Sequence, residues 1–219
     1  MNTAKKTSEH PEGYGPGEKP ELIQRIEQQA ANPYRTYKTI EYRMDYAEYP
    51  ESFKMAGVPY SVYPEFANID RFHHEYKPLL MDRYAPYTEV GIGTSKGFGD
   101  GYDYVFGCQV RSLAGLPEGL IGIDTGLRRF ASITFRASSS EELVGGTDGP
   151  GEAMAIAMDY LKQIWLPEHK GEVADIVDWN STCFEIKNGD ETFYLNPIEV
   201  YKVELDVDAE MCYYLPLKP

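Results

Sequence analysis

Two stretches of period-two alternation, each followed by a single amphipathic helix and further strand-like runs, constrain this chain more than any other feature. Residues 39–48 set Ile40, Tyr42, Met44 and Tyr46 against Glu41, Arg43, Asp45 and Ala47; residues 129–137 set Ala131, Ile133 and Phe135 against Ser132, Thr134 and Arg136. Such alternation marks a strand buried on one face. After the first comes a strand at 53–63, where Gly57-Val58-Pro59 suits an edge or a bulge. A helix at 66–83 follows, kinked or ended by Pro78, then strands at 88–94 and 102–111. Beyond a turn at 114–119 the second half reads as strands at 120–125 and 129–137, a polar loop at 138–149, and a helix at 151–166. That helix carries Met154, Ala157, Met158, Leu161 and Trp165 on one stripe and is expected to stop at Pro167. Strands at 182–188 and 211–217 complete it. The acidic stretch 189–209 reads as an insertion with its own local pairing.

Residues 1–38 read as a flexible Gly/Pro-rich leader with a possible short helix at 21–31, and 39–219 as one domain of two units, about 39–113 and 119–219. A strand-strand-helix-strand-strand order met twice predicts an α+β fold. Its helices are expected on one side of the sheets, with a cleft where the units meet.

Composition narrows the function. A chain of 219 residues buries roughly 70% of its unfolded surface and needs no disulfide or metal to hold it. A net charge of −14 lacks the basic footprint of phosphate-backbone binding, so no direct contact with nucleic acid is expected. Apolar runs are too short to span a bilayer, and no secretory apolar segment follows Lys5 and Lys6. Cys108, Cys183 and Cys212 form no CxxC pair and read as buried thiols in a cytoplasmic protein. No cofactor or metal motif is visible. The glycines of 91–101 lead into a strand rather than a helix, which makes a hairpin loop and not a phosphate cradle. His73 and His74 point about 100° apart on a helix and cannot chelate one ion. The serines at 138–140 lack a nucleophile elbow.

Strand 182–188 is more informative. Alternation places Cys183, Glu185 and Lys187 on one face and Phe184 and Ile186 on the other. Glu185 either faces water, pairs with Lys187 or Arg136, or forms the acidic base of a cleft lined by some of the 18 tyrosines. The last arrangement suits a lipophilic cation or a polar aromatic ligand.

Several segments, taken in order, resemble the GyrI-like small-molecule-binding family, which includes the effector-binding domains of bacterial multidrug-responsive transcription activators. They are Gly101-Tyr102-Asp103-Tyr104-Val105-Phe106-Gly107-Cys108-Gln109-Val110, the turn Gly115-Leu116-Pro117-Glu118-Gly119-Leu120, and Gly126-Leu127-Arg128-Arg129-Phe130-Ala131. Trp165-Leu166-Pro167-Glu168, Phe184-Glu185 and Tyr214-Leu215-Pro216-Leu217-Lys218 complete the set. The resemblance spans roughly residues 40–219. It implies two βαββ units related by a pseudo-two-fold axis, antiparallel sheets, and a ligand groove between the units. It also implies that a penultimate-strand glutamate, matched here by Glu185, reads the ligand's positive charge. The family commonly places an aromatic residue two positions later, where this chain has Lys187. Residues 1–39 are too few for a helix-turn-helix pair, so the resemblance is to a stand-alone form.

Three functions follow as expectations. The first is a binder that sequesters or detoxifies a hydrophobic, aromatic or cationic small molecule, with Glu185 as anchor and Tyr60, Tyr104, Phe135 and Trp179 as walls. The second, implied by stand-alone relatives, is a hydrolase that opens strained cyclopropane rings of genotoxic natural products, using Glu185 with Tyr104. The third is an acidic protein-protein interaction module.

Overall fold

The computed structural model describes residues 32–60, 71–80, 88–96, 103–139, 142–143, 151–202 and 209–218. The expected helix at 21–31, and the parts of expected elements within 61–70 and 81–87, lie outside the described residues. The chain divides into two units, Met1–Pro33 and Tyr34–Pro219, and the architecture below belongs to the second.

Among the described residues, twelve antiparallel strands form one sheet: β1 (Arg35–Tyr37), β2 (Ile40–Glu48), β3 (Lys54–Tyr60), β4 (Thr88–Thr94), β5 (Asp103–Gln109), β6 (Ile121–Asp124), β7 (Arg129–Ala137), β8 (Asp175–Asp178), β9 (Cys183–Asn188), β10 (Glu191–Leu195), β11 (Ile198–Lys202) and β12 (Ala209–Pro216). Their spatial order is β1-β2-β7-β12-β11-β4-β10-β9-β8, with β5 on β4, and β3 between β5 and β6. The sheet curls into a half-barrel. Helical segments accompany it, two of them spanning eight or more described residues, so the fold is α+β. The first, α1, is a wide turn (Phe72–Tyr76) followed by a tight one (Lys77–Leu79). The second, α2, runs through Glu152–Tyr160, a wide turn Leu161–Trp165 and Leu166–His169.

Sequence explains most of these choices. In β7, Phe130, Ile133 and Phe135 are fully buried and Ser132 and Thr134 nearly so, because β2 and β12 flank it on both sides. Thr134 Oγ1 lies 2.9 Å from Cys212 Sγ, which gives its buried hydroxyl a partner. All three cysteines are buried thiols outside any disulfide. Pro59 sits in the part of β3 that has run past its β6 pairing, where a missing N–H costs nothing. Gly57 faces Gly107 across β3 and β5, and a Cβ on either would stand 2.2 Å or less from a backbone carbonyl oxygen.

Two expectations are corrected. Pro167 does not stop α2, which continues to His169. A helical proline normally clashes with the carbonyl four residues back, and the widened turn directly before Pro167 is the kind of irregularity that absorbs it. Residues 189–209 are not a self-contained insertion. β10 does make a local hairpin with β9, but β11 lies between β12 and β4 near the middle of the sheet. The four residues of β8, unforeseen, close the far edge beside β9.

Candidate functional site

The strand order brings three positions far apart in sequence onto one face. β11 pairs with β4 so that Glu199 faces Gly91 and Tyr201 faces Glu89. β4 pairs with β5 so that Gly91 faces Phe106 and Gly93 faces Tyr104. Directly opposed residues point to the same side of a sheet, so Glu89, Glu199, Tyr201, Tyr104 and Phe106 share a face. α1 packs on that face through the edge-on contact of Phe72 with Phe106, centroids 5.7 Å apart. Register through β12 and β7 carries the same face to Tyr42, on which Tyr160 of α2 packs at 4.3 Å.

Glu199 is the polar centre. The Tyr104 hydroxyl donates to its Oε2, and the Tyr201 hydroxyl donates to the same oxygen at 2.5 Å. The two hydroxyls are 3.3 Å apart. All three residues are half-buried. Burial raises the Glu199 carboxyl above its ordinary value, and the two donated hydrogen bonds oppose that rise. Burial, and then the Glu199 charge, push both phenols well above theirs. Both tyrosines therefore stay protonated donors at neutral pH, aimed at one carboxylate oxygen.

Gly91 makes the arrangement possible. A Cβ there would stand 1.7 Å from the Tyr104 hydroxyl oxygen and 2.9 Å from Glu199 Oε2. Gly91→Ala is expected to drive the Tyr104 ring off Glu199. Stability should change by about 1 kcal/mol, one side-chain hydrogen bond, because the displaced group is the end of a side chain. Thermal melts check this, and a loss of several kcal/mol would mean that the backbone of β4, and not the Tyr104 side chain, gives way.

Beside this trio stands a second carboxylate. Glu89 is only 8% exposed and receives Lys77 Nζ at 2.5 Å, with His73 Nε2 at 2.9 Å. Phe106 stands 5.9 Å from both Tyr201 and His73, which gives the patch an aromatic flank. Among the described residues, no group of three or more His, Cys, Asp or Glu side chains is placed to hold a metal ion.

The residues singled out from sequence are not all brought together. Tyr104 is in the trio. Tyr60 ends β3 as the register partner of Tyr104. Phe135 stands on the same face as Tyr201, through the pairings of Tyr201 with Met211 and of Met211 with Phe135; it is fully buried and packs on Tyr213 at 5.4 Å. Trp179 follows β8, where Lys170 lies 4.8 Å over its ring. It borders a separate depression of about 410 Å³ with Lys162, Gln163, Pro167, Lys170 and Asn180. Glu185 lies on β9, separated from β4 by β10, and is paired with Lys187 at 2.8 Å. Glu199, Tyr201 and Gly91 were missed as site residues. The available signal was the Glu199-Val200-Tyr201 triplet, a glutamate with an aromatic two positions later, in the strand before the last.

No family model matches the chain, and no curated protein matches it. Among solved structures, it is similar to an integron cassette protein from the mobile metagenome of Vibrio cholerae, VCH_CASS2, with 11% identity, a TM-score of 0.45, and coverage of 83% of this chain and 100% of that one. It is similar to the C-terminal domain of EcmrR at 13% identity and a TM-score of 0.45, over 81% of this chain and 98% of that one. It is likewise similar to EcmrR in a cryo-EM structure of an EcmrR–DNA complex, at 12% identity and a TM-score of 0.45, over 90% of this chain and 63% of that one.

Proposed function

We propose that this unit is a binding module for cationic aromatic small molecules and that Glu199 anchors the ligand's charge. One observation carries the reading: a half-buried carboxylate is held by two tyrosine hydroxyls while, among the described residues, no cation bonds it. A carboxylate taken partly out of water favours a positive partner. Tyrosine rings beside it offer faces to a planar cation.

The module is read as two βαββ units. The first takes β3, α1, β4 and β5, in spatial order β3-β5-β4; the second takes β7, α2, β11 and β12, in order β7-β12-β11. The units meet where β4 pairs with β11, and a pseudo-two-fold axis there would relate Glu89 to Glu199. The groove lies on the face that carries α1 and α2, with Tyr60 as an additional wall. Sequestration or detoxification in the cytoplasm is the role this suits. The order of the GyrI-like sequence motifs supports the same reading.

Hydrolysis is the second reading, favoured by the Tyr104–Glu199 contact. Glu199, with its raised pKa, would position or deprotonate water while a tyrosine hydroxyl polarises the leaving group. A screen of cationic and neutral dyes, with mass spectrometry of the recovered compound, separates the two. A binder shifts the melting temperature and returns the compound unchanged, whereas a hydrolase returns it heavier by one water. A screen in which no cationic aromatic compound shifts the melt would defeat the binding reading.

A further inference from the structure

We propose that Lys77 sets the charge class of the ligand, confining the site to cations that carry a single positive charge. The inference rests on the binding function proposed above. Two carboxylates occupy the same face, on adjacent strands: Val90 faces Val200, Gly91 faces Glu199, and Glu89 faces Tyr201. Glu89 and Glu199 are therefore diagonal neighbours, a relation that spaces residues about 7–8 Å apart and their β-carbons somewhat less. That spacing is within the span of a dication whose charges sit a few bonds apart.

The two carboxylates are handled differently. Glu199 meets only phenolic hydroxyls in its hydrogen bonds, which leave its negative charge in place. Glu89 meets the Lys77 ammonium, which donates to its Oε1 at 2.5 Å. His73 Nε2 lies 2.9 Å from that oxygen but is not aligned to bond it, and it is buried without a hydrogen-bond partner. Lys77 is thus the group that cancels the Glu89 charge. It reaches down from α1, with its side chain 28% exposed. With the His73 imidazole neutral, the pair sums to zero and Glu199 contributes minus one, so the patch matches one positive charge. A second ligand charge directed at Glu89 would meet an ammonium already seated there, and like charges at such a distance repel.

The experiment compares two phenanthridinium dyes that share a chromophore, ethidium with one positive charge and propidium with two, by fluorescence titration of the full chain. The unaltered protein is expected to bind ethidium about tenfold more tightly than propidium. Lys77→Met frees Glu89 and should reverse that preference by about tenfold or more, the scale of one charge-assisted contact. If Lys77→Met does not fold, Lys77→Gln, which keeps a donor toward Glu89, is read in the same way. A Lys77→Met/Glu89→Gln double variant, with no second carboxylate, should restore the original preference. Equal binding of the two dyes by the unaltered protein, or a preference indifferent to Lys77, overturns the inference alone, provided that ethidium binding depends on Glu199. Failure to bind ethidium, or ethidium binding unmoved by Glu199→Gln, overturns the underlying function and this inference with it.

Discussion

Glu199→Gln is expected to lower affinity for a singly charged aromatic cation roughly ten- to a hundredfold, since a charge-assisted contact contributes about 1.5–3 kcal/mol. The amide keeps the shape, and its carbonyl oxygen can still accept from Tyr104 and Tyr201, so neutral ligands of similar outline should lose little. If the protein is a hydrolase, the same change should abolish turnover and spare binding of an uncharged substrate. Acidity gives a second handle. Burial raises the Glu199 carboxyl above its ordinary value of 4.5, so cation affinity should climb as pH rises through the raised value and level off above it. The stability of the free protein should run the other way. The folded state holds this proton more tightly than the unfolded chain, so folding weakens as pH rises from the ordinary carboxylate value through the raised one. Dye titrations and melts across the acid-to-neutral range measure both slopes. A pH-independent affinity, or a Gln variant that binds as well as the original, would place the ligand's charge elsewhere.

Trp165→Ala should be the most damaging change to the fold, costing about 3–5 kcal/mol, the usual range for a large buried aromatic. Trp165 is 6% exposed and belongs to the main core with Ala157 and Leu161 of the same stripe. Its ring stacks flat on His169, with centroids 4.2 Å apart and planes 7° from parallel. Truncation therefore leaves a cavity and strips the last turn of α2 of its packing partner. For a folded unit of this size the loss should appear as a fall in melting temperature of about 6–20 °C. A loss under about 1 kcal/mol would mean that the core collapses around the gap.

Local pattern and long-range pairing were unequally legible. β2, β7, β9 and α2 carry alternate or helically spaced apolar residues, while β4, β5 and β12, buried on both faces, read as short apolar runs; patterns of either kind can be read from neighbours alone. Glu185 and Glu199 show where this ends. Both lie in alternating strands beside an apolar residue and followed two positions later by a long side chain. What separates them is the partner across the strand: Glu185 faces Tyr194 and Asp175 near the sheet's edge, whereas Glu199 faces Gly91 and Tyr213 near its middle. Strand order is set by contacts across a hundred residues, which no local period encodes. The acidic residues among 189–209 also masked the four-residue alternation of Ile198, Glu199, Val200 and Tyr201. Gly91 was seen only as part of a glycine-rich loop, because its importance depends on a tyrosine from another strand.

Pairing of β4 with β11 has a consequence for biosynthesis. Tyr104 and Glu199 are 95 residues apart in sequence, so a chain emerging from the ribosome carries β4 and β5 long before β11 exists. During that interval β4 exposes the unfilled row of amide and carbonyl groups that β11 will later pair, beside Val90 and Ile92, both fully buried once folding is complete. Such an edge invites pairing with another nascent copy, and contacts of high sequence separation form slowly. The first half made alone should therefore self-associate, and the pairing of Tyr104 with Glu199 can form only after translation has passed β11.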